Sequence, residues 1–273
     1  MAYDIEEPYG PLIETTVRVA TWNVWARYGP WVERERAILA VLSAAAPDIV
    51  VLVEAWQDAE ESLAARLSGR LRLPYHAFAG SPESGIALLS RWPLTGIEHR
   101  DLGDRERQGG DRGRVLFARA EGPRGPVQVF GTTLGWKLGH SRQRQDQVRD
   151  LGGFVRKVTD VEAPVVIGGD FNADPQSDEI RMLTGRAPVA APGLVFYDAW
   201  EVAGDGTSGV TWSRENPWTR PVLWPDRRID YIFSAWPRAG GAGHPVHCEL
   251  LGTEPVDGVL PSDHYGLVAD LRY

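Results

Sequence analysis

The chain has 273 residues, enough for one large domain or two small ones around a sizeable core. Hydrophobic residues make up 43% and charged residues 24%, proportions that exclude disordered and fibrous classes. Lys and Arg total 29 against 37 Asp and Glu, so the net charge of −8 argues against a broad basic surface for nucleic acid, while an enzyme touching a few phosphates through a metal ion stays open.

Short β-like runs alternate with helical stretches. Val17–Trp22 alternates and predicts a strand; Glu33–Ala45, rich in Ala, Leu, Glu and Arg, predicts a helix closed by the Pro47-Asp48 turn. Asp48–Val53 is a continuous apolar run, the pattern of a strand covered on both faces. A second helix is expected from Ala59 to Leu71, then a strand at Gly85–Ser90. Val115–Arg119 and Val127–Gly131 form an expected hairpin across Gly122-Pro-Arg-Gly-Pro126. Ser141–Val158 is the longest helical segment, Val165–Asp170 another buried strand, and Arg228–Phe233 and Tyr265–Leu271 complete the set. Strands run along the whole chain, with no repeat and no linker-like segment, so one α/β or α+β domain is expected over residues 17–273, with 1–16 as an N-terminal extension, flexible or packed on the surface.

The single cysteine, Cys248, excludes an intramolecular disulfide and a Cys-rich zinc site. Eleven Trp suit a cleft gripping a ring-bearing or amphipathic ligand as well as a core. The first sixteen residues carry Asp4, Glu6, Glu7 and Glu14 and no apolar run, unlike a signal peptide, and no stretch reaches bilayer length; a cytoplasmic monomer is expected.

Polar residues stand where the apolar runs stop. Asn23 follows Val19–Trp22, Glu54 follows Ile49–Val53, Asp170 and Asn172 end Val165–Gly169, Asp230 lies in Arg227–Ile232, and Asp263-His264 precedes the last strand. One such residue is ordinarily a turn or cap. Five positions in one chain resemble a ligand site gathered at strand ends, and oxygen donors of this type suit Mg²⁺ or Mn²⁺.

Thr21-Trp-Asn-Val24, Pro47–Glu54, Gly85–Arg91, Gly168-Gly-Asp-Phe-Asn172, Arg228-Ile-Asp-Tyr231 and Ser262-Asp-His264 resemble, in order, the motifs of the endonuclease/exonuclease/phosphatase (DNase I-like) superfamily, which includes abasic-site endonucleases, neutral sphingomyelinases and inositol polyphosphate 5-phosphatases. The resemblance implies a four-layer sandwich, two mixed β-sheets face to face with helices outside. It further implies a metal-dependent phosphoesterase. Glu54 would be the main metal carboxylate, with Asn23 and Asp263 beside it. Asp170 would orient or deprotonate the attacking water, and Asn172 would donate to the phosphoryl oxygens. His264, oriented by Asp230, would contact the phosphate, and the expected partner is a phosphate-ester substrate.

The chain departs from the pattern at Phe130-Gly-Thr-Thr-Leu-Gly-Trp136, where relatives carry Asn-Thr-His-Leu, often followed by Asp. The phosphate-binding histidine becomes Thr133 and the acid becomes Gly135, which removes a cation from beside the scissile phosphate. Val53 likewise replaces a common Gln. The loop Thr211-Trp-Ser-Arg-Glu-Asn-Pro-Trp218, with Trp224 after it, is read as shaping the pocket mouth, with Trp212, Asn216, Trp218 and Thr133 as substrate-binding candidates; loop packing is the alternative. Ser141, Arg144 and Gln147 are read as structural. Arg105, Arg107, Arg112 and Arg114, interleaved with Asp101, Asp104, Glu106 and Asp111, are read as a solvated mixed-charge loop. Acidity favours a small-molecule, lipid-headgroup or nucleotide phosphodiester. The alternatives are a nuclease and a non-hydrolytic scaffold altered at Thr133 and Gly135.

Overall fold

The computed structural model describes residues 6–103, 112–160 and 162–273. Among these, one sheet contains β1 (Thr16–Asn23), β2 (Ile49–Ala55), β3 (Tyr75–Gly80), β4 (Gly85–Ser90), β11 (Pro245–Leu251) and β12 (Gly266–Arg272). The other contains β5 (Leu94–Leu102), β6 (Gly113–Gly122), β7 (Gly125–Thr133), β8 (Val165–Asp170), β9 (Phe196–Asp198) and β10 (Asp230–Ala235). The orders are β11-β12-β1-β2-β4-β3 and β5-β6-β7-β8-β10-β9. Both sheets are mixed: β1/β2 and β7/β8 are parallel, their other neighbours antiparallel.

Alternation along each strand builds three apolar layers. Val17, Val19 and Val51 meet Val127, Val129, Val166 and Ile232 between the sheets. On the opposite face, Ala20, Trp22, Val50 and Leu52 receive Ile38 and Leu42 of α1 (Trp31–Ala45) and Leu63 and Leu67 of α2 (Leu63–Leu71). Outside the second sheet, Val115, Phe117 and Phe130 pack on Val148, Leu151 and Phe154 of α3 (Ser141–Val158) and near Ile180 and Leu183 of α4 (Asp178–Leu183). The result is the expected four-layer sandwich; β2 and β8 read as unbroken apolar runs because both their faces are covered. Asp198, the last residue of β9, caps a short helix, α5 (Ala199–Ala203), its side chain accepting from Trp200 N.

The second helix starts at Leu63, not Ala59. Asp58 accepts from Glu60 N and Glu61 N in a turn, and Ser62 caps Ala65 N at 3.1 Å. Two glycines bring the sheets close beneath the strand ends. A Cβ at Gly131 would stand 2.5 Å from Ile86 Cγ2, and one at Gly168 would stand 3.1 Å from Thr21 Cβ. Gly169 has φ +153° and packs where a Cβ would meet Thr132 O, so both glycines of Gly168-Gly169 have a physical cause. Before β1, Ile13 N donates to Gly240 O and Tyr9 O accepts from Gly240 N. Among the described residues no helix is long and apolar enough to cross a membrane.

Candidate active site

Strand direction gathers the polar ends at one edge of the sandwich. Parallel β1 and β2 finish there with Asn23 and Glu54, and antiparallel β12 begins there just after Ser262-Asp263-His264. In the second sheet Thr133 stands opposite Asp170, and Asp170 opposite Asp230. Asn23 shares the inward parity of Val17 and Val19, and Asp170 that of Val166, so the two sheets aim these side chains at each other. Glu54 would alternate outward with Val50 and Leu52. A β-bulge between Val53 and Ala55, with Glu54 at φ +56°, breaks the alternation at that residue.

Hydrogen bonds join the set. Asn23 Nδ2 donates to Glu54 Oε1 at 3.0 Å and to Asp170 Oδ2 at 3.1 Å, linking a carboxylate of each sheet. Its Oδ1 accepts from Trp25 N, so Asn23, expected beside a metal as an oxygen donor, turns its NH₂ group to the carboxylates. Asp170 Oδ1 accepts from Asn172 N at 2.9 Å, and Asn172, itself at φ +50°, donates its amide to Leu134 O. His264 Nδ1 lies 2.9 Å from Asp230 Oδ2. Ser262 Oγ donates to Asn23 O at 2.7 Å and accepts from His264 N, which ties the last segment to β1.

Burial, and then the Asp230 carboxylate, push Asp170 up to about 7 against the pull of His264 and its hydrogen-bond donors. Desolvation, with Glu54 nearby, lifts Asp263 to about 6. Burial works against a charge on His264, yet Asp230, Asp263 and Asp170 hold its pKa well above the ordinary imidazole value. Negative charge is therefore in surplus. Asp230 Oδ1 is buried with no hydrogen-bond partner among the described residues, and ligand atoms of Asp170, Asp230 and His264 lie within 4.8 Å of one another. A hard divalent cation fits this oxygen-rich donor set. Glu54, bonded by the same Asn23 amide that reaches Asp170 and coupled electrostatically to Asp263, stands beside this group.

Beside these residues opens a cleft of about 410 Å³ whose wall includes Glu54, Thr133, Asn172 and Trp136. Trp136 stacks on Trp224 at 6.1 Å, and Trp224 leans on Trp212 at 5.7 Å. Trp212 is buried, and Trp218 packs against Trp25 with Nε1 donating to Leu260 O. Among the described residues Trp136, not Trp212 or Trp218, forms the cleft wall. Asn216, expected to meet substrate, is fully buried; its amide donates to Ser262 O at 2.8 Å and accepts from Trp218 N. It anchors the loop to the Ser262–His264 segment instead. Arg144 pairs with Glu179 at 2.7 Å and donates to Gly135 O, while Gln147 accepts from Gly135 N, so α3 fixes the turn after Thr133. Of the mixed-charge loop, Asp104, Arg105, Glu106, Arg107 and Asp111 lie outside the described residues.

Arg34 escaped the sequence reading. Its five N–H groups donate to the carbonyls of Tyr28, Val24, Pro261, Trp25 and Ala26, behind Asp263 and Glu54. Burial lowers it to about 10, offset by those two carboxylates. The signal was present: Arg34, Ile38 and Leu42 share one helix face, so Arg34 stands at a core position.

The sequence profile of the Endonuclease/Exonuclease/phosphatase family matches residues 20–264, and the chain belongs to that family. It is accordingly an enzyme, a metal-dependent phosphoric ester hydrolase. A search of curated proteins by sequence returns no match. Among solved structures, D. rerio TDP2 complexed with single strand DNA product has a TM-score of 0.75 at 20% identity, over 95% of this chain and 100% of that one. The human Nocturnin catalytic domain with bound sulfate anion gives 0.69 at 22%, over 95% and 96%. The endonuclease/exonuclease/phosphatase from Beutenbergia cavernae DSM 12333 gives 0.69 at 26%, over 95% and 72%.

Proposed function

We propose that this enzyme hydrolyses a phosphodiester of a small molecule, lipid headgroup or nucleotide, with Mg²⁺ or Mn²⁺ held by Glu54 with Asp263 beside it, and with Asn23 orienting the Glu54 carboxylate. The reading rests on the Asn23 amide, which links Glu54 on one sheet to Asp170 on the other. When bound, the cation supplies charge withdrawal from the phosphoryl group and leaving oxygen. Asp170, ionising near neutrality, takes the proton of the attacking water. Asn172 braces the phosphoryl oxygens, and His264, held by Asp230, donates to them. Residues 17–273 act as one domain in this reading, since both sheets supply the set.

Net charge favours the small-substrate form; the D. rerio relative's single strand DNA product supports the alternative of nucleic acid. The test is turnover of bis(4-nitrophenyl) phosphate, sphingomyelin and plasmid DNA with Mg²⁺ or Mn²⁺. Loss of roughly 10²–10⁴-fold is expected for Asp170→Asn, the range of a general base, with a comparable loss for Glu54→Gln. Full activity in either variant, or no turnover by the parent protein, overturns the reading.

A further inference from the structure

A second cavity, of about 210 Å³, opens at the pole of the sandwich opposite the reacting groups, and its wall includes Tyr9, Leu12, Tyr197, Pro237, His244 and Arg272. Asn23 ends β1, Asp230 starts β10 and His264 precedes β12, whereas the cavity residues flank the start of β1 and the ends of β10 and β12. At about 3.3 Å per residue, the 7 residues of β12 alone hold the two places roughly 20 Å apart. The chain before β1 forms one side of the cavity and is fixed there. Ile13 N donates to Gly240 O at 2.9 Å, Gly240 N donates to Tyr9 O at 2.7 Å, and Arg272 Nη1 donates to Ile13 O. The contact is close: a Cβ at Gly241, itself at φ +70°, would stand 3.1 Å from Leu12 Cδ2.

Three rings, Tyr9, Tyr197 and His244, share the wall with one guanidinium. The Tyr197 ring meets His244 edge to face at 6.0 Å and lies 5.5 Å from the exposed Trp236. Burial and the nearby Arg272 charge lower the His244 pKa, so Arg272 carries the full charge of the wall near neutrality. Only Nη1 of Arg272 is spent on the protein; Nε and Nη2 make no hydrogen bond to the described residues. A dry cavity of roughly 150 Å³ admits benzene, so about 210 Å³ takes one ring with a small polar group. Rings gain from offset or edge contact with other rings, and a guanidinium edge takes a carboxylate through two parallel N–H bonds. We propose that this cavity binds a monocyclic aromatic carboxylate, its ring against Tyr197 and His244 and its carboxylate on the Nε–Nη2 edge of Arg272. The inference rests on the cavity alone and is independent of the hydrolytic reading.

The test is calorimetric titration of the full chain with three probes. Benzoate carries ring and charge, benzamide the ring without the charge, and cyclohexanecarboxylate the charge without the aromatic ring. Benzoate is expected to bind roughly tenfold or more tightly than either of the others. Arg272→Gln should remove the preference over benzamide. Because that variant also gives up the bond to Ile13 O, Leu12→Trp serves as a second. It keeps every backbone bond and fills the cavity, so benzoate binding should be lost while the far-ultraviolet circular dichroism stays parental. The proposal is overturned if the parent protein shows no saturable benzoate binding or binds benzoate no more tightly than either analogue. Benzoate binding that persists in Leu12→Trp, or a preference over benzamide that persists in Arg272→Gln, overturns it equally.

Discussion

Arg34 sits on the core face of α1 and spends every N–H on a backbone carbonyl, five in all. Lysine has three donors and no planar fork, so Arg34→Lys leaves carbonyls of the turn after Asn23 unsatisfied. With two carbonyls left unmet it should cost about 2–6 kcal/mol, read by chemical denaturation, at roughly 1–3 kcal/mol for each; an unchanged midpoint would show the turn to be held by other means. Protonation gives a second prediction. Asp170 at about 7 and Asp263 at about 6 lie above their values in an unfolded chain, and His264 shifts in the same sense. The folded state thus binds these protons more tightly. The carboxyl contribution is fully present below about pH 4 and is lost as pH rises through 6 and 7. In EDTA the Tm should fall on the order of 5 °C between pH 5.5 and 8, and Mg²⁺ should shrink the fall. A Tm that climbs over this range contradicts the charge surplus.

At the level of elements, the loop between α5 and β10 reaches the Ser262–His264 segment through the Asn216 amide. Asn216 joins it to Ser262, and Ser262 in turn holds both Asn23 and the backbone of His264. Asn216→Ala should therefore destabilise by about 1–3 kcal/mol and also lower kcat, although the side chain touches no solvent. A variant with lower stability but parental kcat would restrict Asn216 to packing. The same scale explains what was legible in the chain. The eight interior strands announced themselves as apolar or alternating runs, with the polar residues of the site at their ends. The strands at the four edges, β3, β5, β9 and β11, did not. An edge strand has a neighbour on one side only, and β5, as Leu94-Thr-Gly-Ile-Glu-His-Arg-Asp-Leu102, is mostly exposed, so no core face marks it. Arg114, expected in a solvated loop, lies in β6 and on the cleft wall for a related reason: the register sets it opposite Thr133, and register is not written in either strand alone.

For the whole molecule, a net charge of −8 repels polyanions, and any nucleic acid would be gripped through few contacts. With Arg112 and Arg114 of the cleft wall engaged, single-stranded DNA affinity should fall with a log–log salt slope of about −1.4, at roughly −0.7 per neutralised phosphate. A slope several times steeper, measured by anisotropy from 50 to 200 mM salt, would point to a basic path elsewhere on the surface. The bare faces of Gly131 and Gly168 bear on the whole sandwich in another way. The proposed base hangs from one sheet and the proposed metal carboxylate from the other, so the depth of the core acts as the spacer between reacting groups. Gly131→Ala would push against Ile86 at 2.5 Å, at a cost of about 1–3 kcal/mol, and should depress kcat more than it weakens substrate binding. Tuning of this enzyme thus need not begin at the cleft: a methyl group added in the dry interior, touching no ligand, widens the aperture across which the chemistry is done.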